Sequence, residues 1–348
     1  LHELGVQKGA TLHLVLRLKT YLELKVRVMN GRTIDLDANP KAPVMEVRNK
    51  ERTADLNSNF DSPQEIEINQ TIQGVADKED ADYYVLQCRK GQRLSVEVEG
   101  MRLGRTLFDP YVAILNSDRF ELASSDDTAL LFRDCAASII IPEDGPYTVL
   151  VRESSSQGTG ACQYRLHVGE FPRPTAIYPP GAQPGEVREF TFVGDPTGNL
   201  VSKIEMPDAT ANYRAFIKNG GWHSPSGLPV RISSLPFHNE VEPNEGGKQA
   251  SPAEAPSVPV AFHGILSKKE DKDWFRFAGK KGQKLRARVF ARQLRSPLDP
   301  YIIVRKEGDS KQIGNNDDAG NGDPDSRLDF EIAEDGVYNL NIRDQLYN

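Results

Sequence analysis

Apolar and polar residues alternate with a period of two along most of the chain. Phe275 and Phe277 flank Arg276, Leu285, Ala287 and Val289 alternate with Arg286 and Arg288, and Tyr338, Leu340 and Ile342 alternate with Asn339 and Asn341. Successive side chains of an extended strand point to opposite faces, so each run buries one face and wets the other. Lys-Gly, Asp-Pro, Asn-Asp-Asp and Glu-Asp-Gly clusters interrupt the runs at short intervals with turn chemistry. Helical periodicity is nearly missing. Many short strands of this kind predict a mostly β fold of tandem antiparallel β-sandwich, jelly-roll-like domains.

The pattern is duplicated. Asp80-Ala-Asp82-Tyr-Tyr returns as Asp271-Lys-Asp273-Trp-Phe, Lys90-Gly-Gln as Lys281-Gly-Gln, Ser125-Asp-Asp as Asn316-Asp-Asp, and Glu143-Asp-Gly-Pro-Tyr147 as Glu334-Asp-Gly-Val-Tyr338, all at an offset of 191 residues. Asp109-Pro-Tyr111 returns as Asp299-Pro-Tyr301 at 190, a difference that one inserted residue near Phe108 absorbs.

Composition narrows the function. The chain has 348 residues, 38% hydrophobic and 27% charged, within the globular range and long enough for two or three cores. A net charge of -7 with interspersed signs argues against a nucleic-acid surface, which needs clustered cations to release counterions. No apolar run approaches the roughly 20 residues of a spanning helix. The chain opens on Leu1 and reads as a fragment, so a missing leader peptide is uninformative. Cys88, Cys135 and Cys162 lack zinc-site spacing and read as buried thiols, with a Cys135–Cys162 disulfide as the alternative.

Asp271-x-Asp273-Trp-Phe-x-Phe277, Lys281-Gly-Gln, Leu298-Asp-Pro300, Asn316-Asp-Asp318, Asp325-Ser-Arg-Leu-Asp-Phe330 and Glu334-Asp-Gly-x-Tyr338 together resemble the bacterial pre-peptidase C-terminal domain, which is similar to the collagen-binding domain of clostridial collagenases. The resemblance implies a β-sandwich appended to secreted or cell-envelope proteins. The first copy departs from it at 128–138, where the Asp-Ser-Arg-Leu-Asp-Phe motif is missing. The second stops before any counterpart of Gln163-Tyr-Arg-Leu-His-Val168, which leaves a closing strand absent and an edge exposed.

Four segments follow: 1–56, partial ubiquitin-like (β-grasp) sequence; 57–170, the first sandwich; 171–239, a segment resembling an immunoglobulin-like domain or serving as a spacer; and 240–348, the second sandwich. Glu242 to Val260, rich in Pro, Glu and Ala, reads as a linker and domain entrance. In the opening, Leu4 to Leu18 resembles the last stretch of ubiquitin and Leu24 to Leu36 its first hairpin. Lys19-Thr20-Tyr21 is too short to join parallel neighbours, so these read as the end of one unit and the start of another. His13 and Val15 match two positions of ubiquitin's recognition patch, to be weighed against a plain strand pair. Lys19-Thr20 replaces the terminal Gly-Gly, which sets conjugation aside.

No G-x-S-x-G elbow, H-E-x-x-H, Walker sequence or G-x-G-x-x-G after a strand occurs, and the six histidines are scattered, so the chain reads as non-enzymatic. The chemistry it carries is that of calcium. Glu240-Val-Glu242-Pro-Asn244-Glu245 places four oxygen donors before the second sandwich and resembles the Glu-x-Glu-x-Asn-Asp segment of collagenase collagen-binding domains. Asp271 and Asp273, two apart on one strand face, complete a candidate Ca2+ set of hard oxygen ligands. The competing reading makes the aspartates turn caps and the glutamates solvated linker.

The functional expectation is a non-catalytic binding or spacer region of a secreted or cell-envelope bacterial protein, recognising protein or polysaccharide, with no nucleic-acid partner and no transmembrane segment. Two alternatives stand beside it: an accessory region of a secreted peptidase whose catalytic domain lies outside this chain, and a cytoplasmic ubiquitin-like interaction adaptor.

Overall fold

The computed structural model describes residues 57–345, except 105, 106, 129, 130, 132, 211 and 321, together with the backbone of one hairpin nearer the start. In that hairpin β1 (Leu22–Arg27) and β2 (Thr33–Ala38) pair antiparallel, Leu24 opposite Leu36. It forms a unit of its own and is taken by itself. His13 and Val15 lie outside the described residues.

The first sandwich contains β3 (Gln64–Glu65), β4 (Gln70–Val75), β5 (Ala81–Cys88), β6 (Arg93–Glu99), β7 (Pro110–Leu115), β8 (Glu121–Ser125), β9 (Ala136–Ile140), β10 (Gly145–Glu153) and β11 (Gln163–Gly169). One sheet runs β3-β5-β10-β7-β8 and the other β4-β11-β6-β9. All pairings are antiparallel except β3 with β5. The inward residues meet between the sheets as one core that includes Leu86, Leu94, Val96, Val112, Val149 and Leu166. Cys88, Cys135 and Cys162 are buried there as free thiols, and burial pushes Cys88 up to about 11.

The middle segment contains β12 (Ala176–Tyr178), β13 (Gly181–Ala182), β14 (Val187–Val193), β15 (Leu200–Glu205), β16 (Asn212–Ala215), β17 (Lys218–Asn219), β18 (Trp222–His223) and β19 (Leu228–Ile232). Two three-stranded sheets, β12-β14-β15 and β13-β19-β16, enclose Phe190, Phe192, Ile217 and Val230.

The second sandwich contains β20 (Phe237–Asn239), β21 (Ala261–His263), β22 (Lys272–Gly279), β23 (Lys284–Arg288), β24 (Pro300–Lys306), β25 (Gln312–Asn316), β26 (Arg327–Glu331) and β27 (Gly336–Asp344). Its sheet order β22-β27-β24-β25 repeats β5-β10-β7-β8, and β23-β26 repeats β6-β9. The duplicated sequence is thus a duplicated topology, and the molecule is a tandem of β-sandwiches.

The repeated motifs are the fold's corners. The Lys90 amide donates to the Asp144 carboxylate at 2.7 Å, and the Lys281 amide donates to Asp335 at 2.7 Å. Tyr147 donates its hydroxyl to the Glu143 carbonyl at 3.0 Å, and Tyr338 donates to Glu334 at 2.7 Å. Gly91 (φ 79°) and Gly282 (φ 82°) take the left-handed turn position that a Cβ would strain.

Two sequence readings are corrected. The first copy does keep the opening residue of the motif read as missing. Asp134 accepts from the amides of Gly100 (2.8 Å), Met101 (2.6 Å) and Arg102 (3.3 Å), just as Asp325 accepts from Ala291 (3.1 Å), Arg292 (2.7 Å) and Gln293 (3.1 Å). Asp325 is fully buried; Asp325→Ala orphans three donors, and chemical denaturation should show about 2–4 kcal/mol lost from the second sandwich.

The second correction concerns 242–260, which is no free linker. Its backbone lies along β22: Trp274 donates to the Asn244 carbonyl (3.0 Å), Ser251 to Trp274 (2.7 Å), Arg276 to Ser251 (2.9 Å) and Ala278 to Pro256 (2.8 Å). Prolines spoil a regular strand, yet the carbonyls between them still satisfy the edge amides.

Candidate metal centre

The site forms where β20 and β21 end and β22 begins. Glu240 follows β20, and its amide donates to the His263 carbonyl at 2.8 Å. Asp273 points inward from β22, alternating with Lys272 and Trp274. One carboxylate oxygen from each of Glu240, Glu242 and Asp273 lies within 4.8 Å of the others. Glu240 accepts from the Ile265 amide at 2.7 Å, and Glu242 accepts from the Asn244 amide at 2.9 Å, which orients both groups.

Asn244 is fully buried, and its Nδ2 donates to Glu240 at 3.4 Å. Its Oδ1 has no partner, and neither has Asp273 Oδ1. Two buried oxygens without donors, beside two glutamates, form a set of hard acceptors that could hold a cation. Burial first, then the Glu240 charge, raises Asp273 to about 8, and burial likewise raises Glu240. The pair therefore shares a proton at neutral pH unless a cation replaces it.

Of the other sequence candidates, Asp271 is occupied elsewhere. It accepts from the Ser267 amide (2.7 Å) and hydroxyl (3.0 Å) and from the Lys272 amide (3.0 Å), as a turn cap does. Glu245 pairs with Lys268 at 2.8 Å. Gly264 is the residue that sequence reading missed: a Cβ there would come within 2.6 Å of Asp273 Oδ2 and 2.7 Å of Glu240 Oε2. The sequence signal was the His263-Gly-Ile at the end of β21, which parallels Gln73-Gly74-Val75 in the first copy.

The first sandwich fills the same place differently. A Cβ on Gly74 would strike the Tyr164 ring and hydroxyl. Tyr164, from β11, donates its hydroxyl to Asp82, the counterpart of Asp273, and meets the Tyr84 hydroxyl at 2.6 Å. Burial and the neighbouring Tyr84 and Asp82 push the Tyr164 hydroxyl well up, which keeps it a donor. Phe275 stands where Tyr84 does and brings no hydroxyl. The first copy thus answers its buried aspartate with phenols.

Another polar cluster lies where the first sandwich meets the middle segment. Glu97 is fully buried; Arg102 bonds it at 2.9 Å, Ser226 donates to it, and Arg173 Nε lies 2.9 Å away, paired by charge without a hydrogen bond's geometry. Arg93 pairs with Asp195 at 3.2 Å and donates to Thr197 at 2.8 Å. Thr71 Oγ1, His167 Nδ1 (2.9 Å) and, beyond His167 Nε2, Glu99 (3.6 Å) have the order of nucleophile, base and orienting carboxylate. Thr71 and His167 are buried on adjacent strands, and a cavity of about 1140 Å³ opens elsewhere, against the second sandwich. Tyr111 and Tyr301, both half-buried, lie under Arg152 (4.2 Å) and Arg343 (4.4 Å).

No family model matches the chain. A stretch of 102 residues, 29% of this chain, is 34% identical to 14% of a subtilase-type serine protease of Deinococcus radiodurans, so the chain spans a small part of that relative. Among solved structures, the pre-peptidase C-terminal domain of a Bacillus anthracis collagenase is 14% identical, with 31% of this chain and 94% of that one covered at a TM-score of 0.25. The periplasmic lysozyme inhibitor PliG of Aeromonas hydrophila is 15% identical, with 30% and 95% covered at 0.24. Tandem CBM51 modules of a Streptococcus pneumoniae family 98 glycoside hydrolase are 12% identical, with 80% and 79% covered at 0.21.

Proposed function

We propose that this chain is a non-catalytic accessory region of an exported bacterial protein, a stiff run of β modules whose second sandwich is locked by one calcium ion and whose surface recognises protein or polysaccharide. The observation that carries the reading is the pair of buried, unpartnered oxygens on Asn244 and Asp273 beside Glu240 and Glu242. These four residues supply the protein's share of the six to eight oxygens that calcium takes, and water supplies the rest. Stiffness rests on the buried Glu97 cluster and on contacts such as Arg231 of β19 over the Phe290 ring of the second sandwich, 3.8 Å to its centroid. Among the described residues no helix is long and apolar enough to cross a membrane.

A more specific form of the proposal attaches the chain to a peptidase, which the match to a subtilase-type protease favours. The reading frame on either side would show the catalytic domain.

Calcium titration of the chelator-stripped chain by calorimetry tests the metal reading. One site is expected, in the range of about 10⁻⁴ to 10⁻³ M typical of extracellular modules. Asp273→Asn removes a ligand charge and Gly264→Ala fills the cradle, so each should weaken binding at least about tenfold. A chain that takes up no calcium at millimolar concentration would overturn the reading.

A further inference from the structure

The outer face of the second sandwich carries polar groups that its twin lacks. Register sets Arg276 of β22 opposite Asn339 of β27, and Asn339 opposite Arg305 of β24, in one row across three strands. The same row of the first sandwich is Val85, Thr148 and Leu115. There the face closes on itself: Leu115 and Leu150 are buried, with Phe60, Tyr83 and Tyr111 packed around them. The fold therefore asks for no arginine or asparagine in these places.

In the second sandwich the row lines a cavity of about 640 Å³, between Gly247 and Lys248 on one side and the turn after β24 on the other. Sites for small molecules span roughly 300–1,000 Å³. Asn339 is 3% exposed; its Nδ2 donates to the Gly247 carbonyl at 3.5 Å, which leaves Oδ1, without a partner, as an acceptor. Trp274 Nε1, Arg276 Nε and Arg305 Nε are buried donors without partners. Four orphaned polar atoms around one cavity are a ligand's complement.

Charge says which ligand. Arg305 lies over the Trp274 ring, 5.4 Å from its centroid, and pairs with no carboxylate among the described residues. Arg276 pairs with Glu307 at 3.0 Å and Lys306 with Glu334 at 2.7 Å. With Lys248, four cations face the two carboxylates of Glu307 and Asp309, on a chain whose net charge is -7. An unpaired guanidinium and an indole N–H suit a carboxylate, and the Asn339 oxygen suits a hydroxyl beside it. An acidic peptide docks best by extending a sheet edge. The β22 edge beside the cavity is already taken by the carbonyls of Asn244, Ser251 and Pro256.

We propose that this cavity binds a carboxylated saccharide, with its carboxylate on Arg305 and the Trp274 indole and a ring hydroxyl donating to Asn339 Oδ1. The site rests on the reading of this chain as a recognition region, and it is independent of calcium.

The test titrates digalacturonate into the 348-residue chain carrying Trp222→Phe, which leaves Trp274 as the single tryptophan and its fluorescence as the readout, with calcium held fixed. A saturable change is expected, and the dimethyl ester of the same sugar, which lacks the charge, should bind at least about tenfold more weakly. Arg305→Leu and Asn339→Thr install the first copy's own residues, and each should weaken digalacturonate at least about tenfold. Equal affinity for acid and ester, unchanged affinity in both variants, or tetraglutamate binding as tightly as digalacturonate would each overturn the proposal, the last by giving the cavity to acidic peptides. No response to millimolar digalacturonate would overturn it too. Retention of the chain on cellulose beads in that case would spare the recognition reading, and failure there as well would count against both.

Discussion

Glu97→Ala should cost the first sandwich and its joint with the middle segment about 3–5 kcal/mol, because it leaves the buried Arg173 guanidinium beside no carboxylate and leaves Arg102 with only Asp134 and Glu99. Denaturant unfolding would measure the loss. Glu97→Gln should cost less, since the amide oxygen still accepts from Ser226 and Arg102 while the charge is gone. If the alanine variant melts with the parent, the joint does not hold the modules together.

The same cluster sets an acid limit. Burial alone would raise Glu97 and Glu99; the guanidiniums of Arg173 and Arg102 outweigh it at Glu97, and His167 with Arg102 and Arg165 brings Glu99 down to about 2. Both carboxyls are more acidic folded than unfolded. Their stabilisation is therefore full above the ordinary glutamate range and is lost as pH falls from about 4.5 towards 2.

The second sandwich should respond to pH in the opposite sense when stripped of calcium. Asp273, raised to about 8, holds a proton in the folded chain that it gives up near pH 4 unfolded. The stripped domain is accordingly most stable below about pH 4 with respect to this group, and loses that stability as pH rises through about 8. In the proposed site calcium would take the proton's place. Calcium binding at neutral pH should release close to one proton, visible as a fall in pH when calcium is added to a weakly buffered sample. At a hundredfold excess over its dissociation constant, the ion should stabilise the native state by about 2.7 kcal/mol. No proton release and no pH slope in chelator would count against the shared proton.

The fold was legible because alternation and turn residues are local signals. Lys281-Gly-Gln and Glu334-Asp-Gly-x-Tyr338 declared the corners that the Asp335 and Tyr338 hydrogen bonds make. The candidate site was legible in part. Glu240, Glu242, Asn244 and Asp273 come together, but sequence spacing could not tell that Asp271 turns back to cap its own loop or that Glu245 reaches Lys268. Glu97 was illegible for a different reason. It alternates with Val96 and Val98 and so points out of the sandwich, where the strand pattern places solvent; the middle segment covers that face instead. Contacts between modules leave no period along the chain.

The central claim is that the two sandwiches share one fold but fix their buried aspartates differently, by Tyr164 in the first and by calcium in the second. Scanning calorimetry of the 348-residue chain, in millimolar calcium and again in chelator, tests it most directly. The account predicts that the transition of the second sandwich moves to higher temperature with calcium while that of the first stays in place. Transitions that coincide in the two buffers would contradict it.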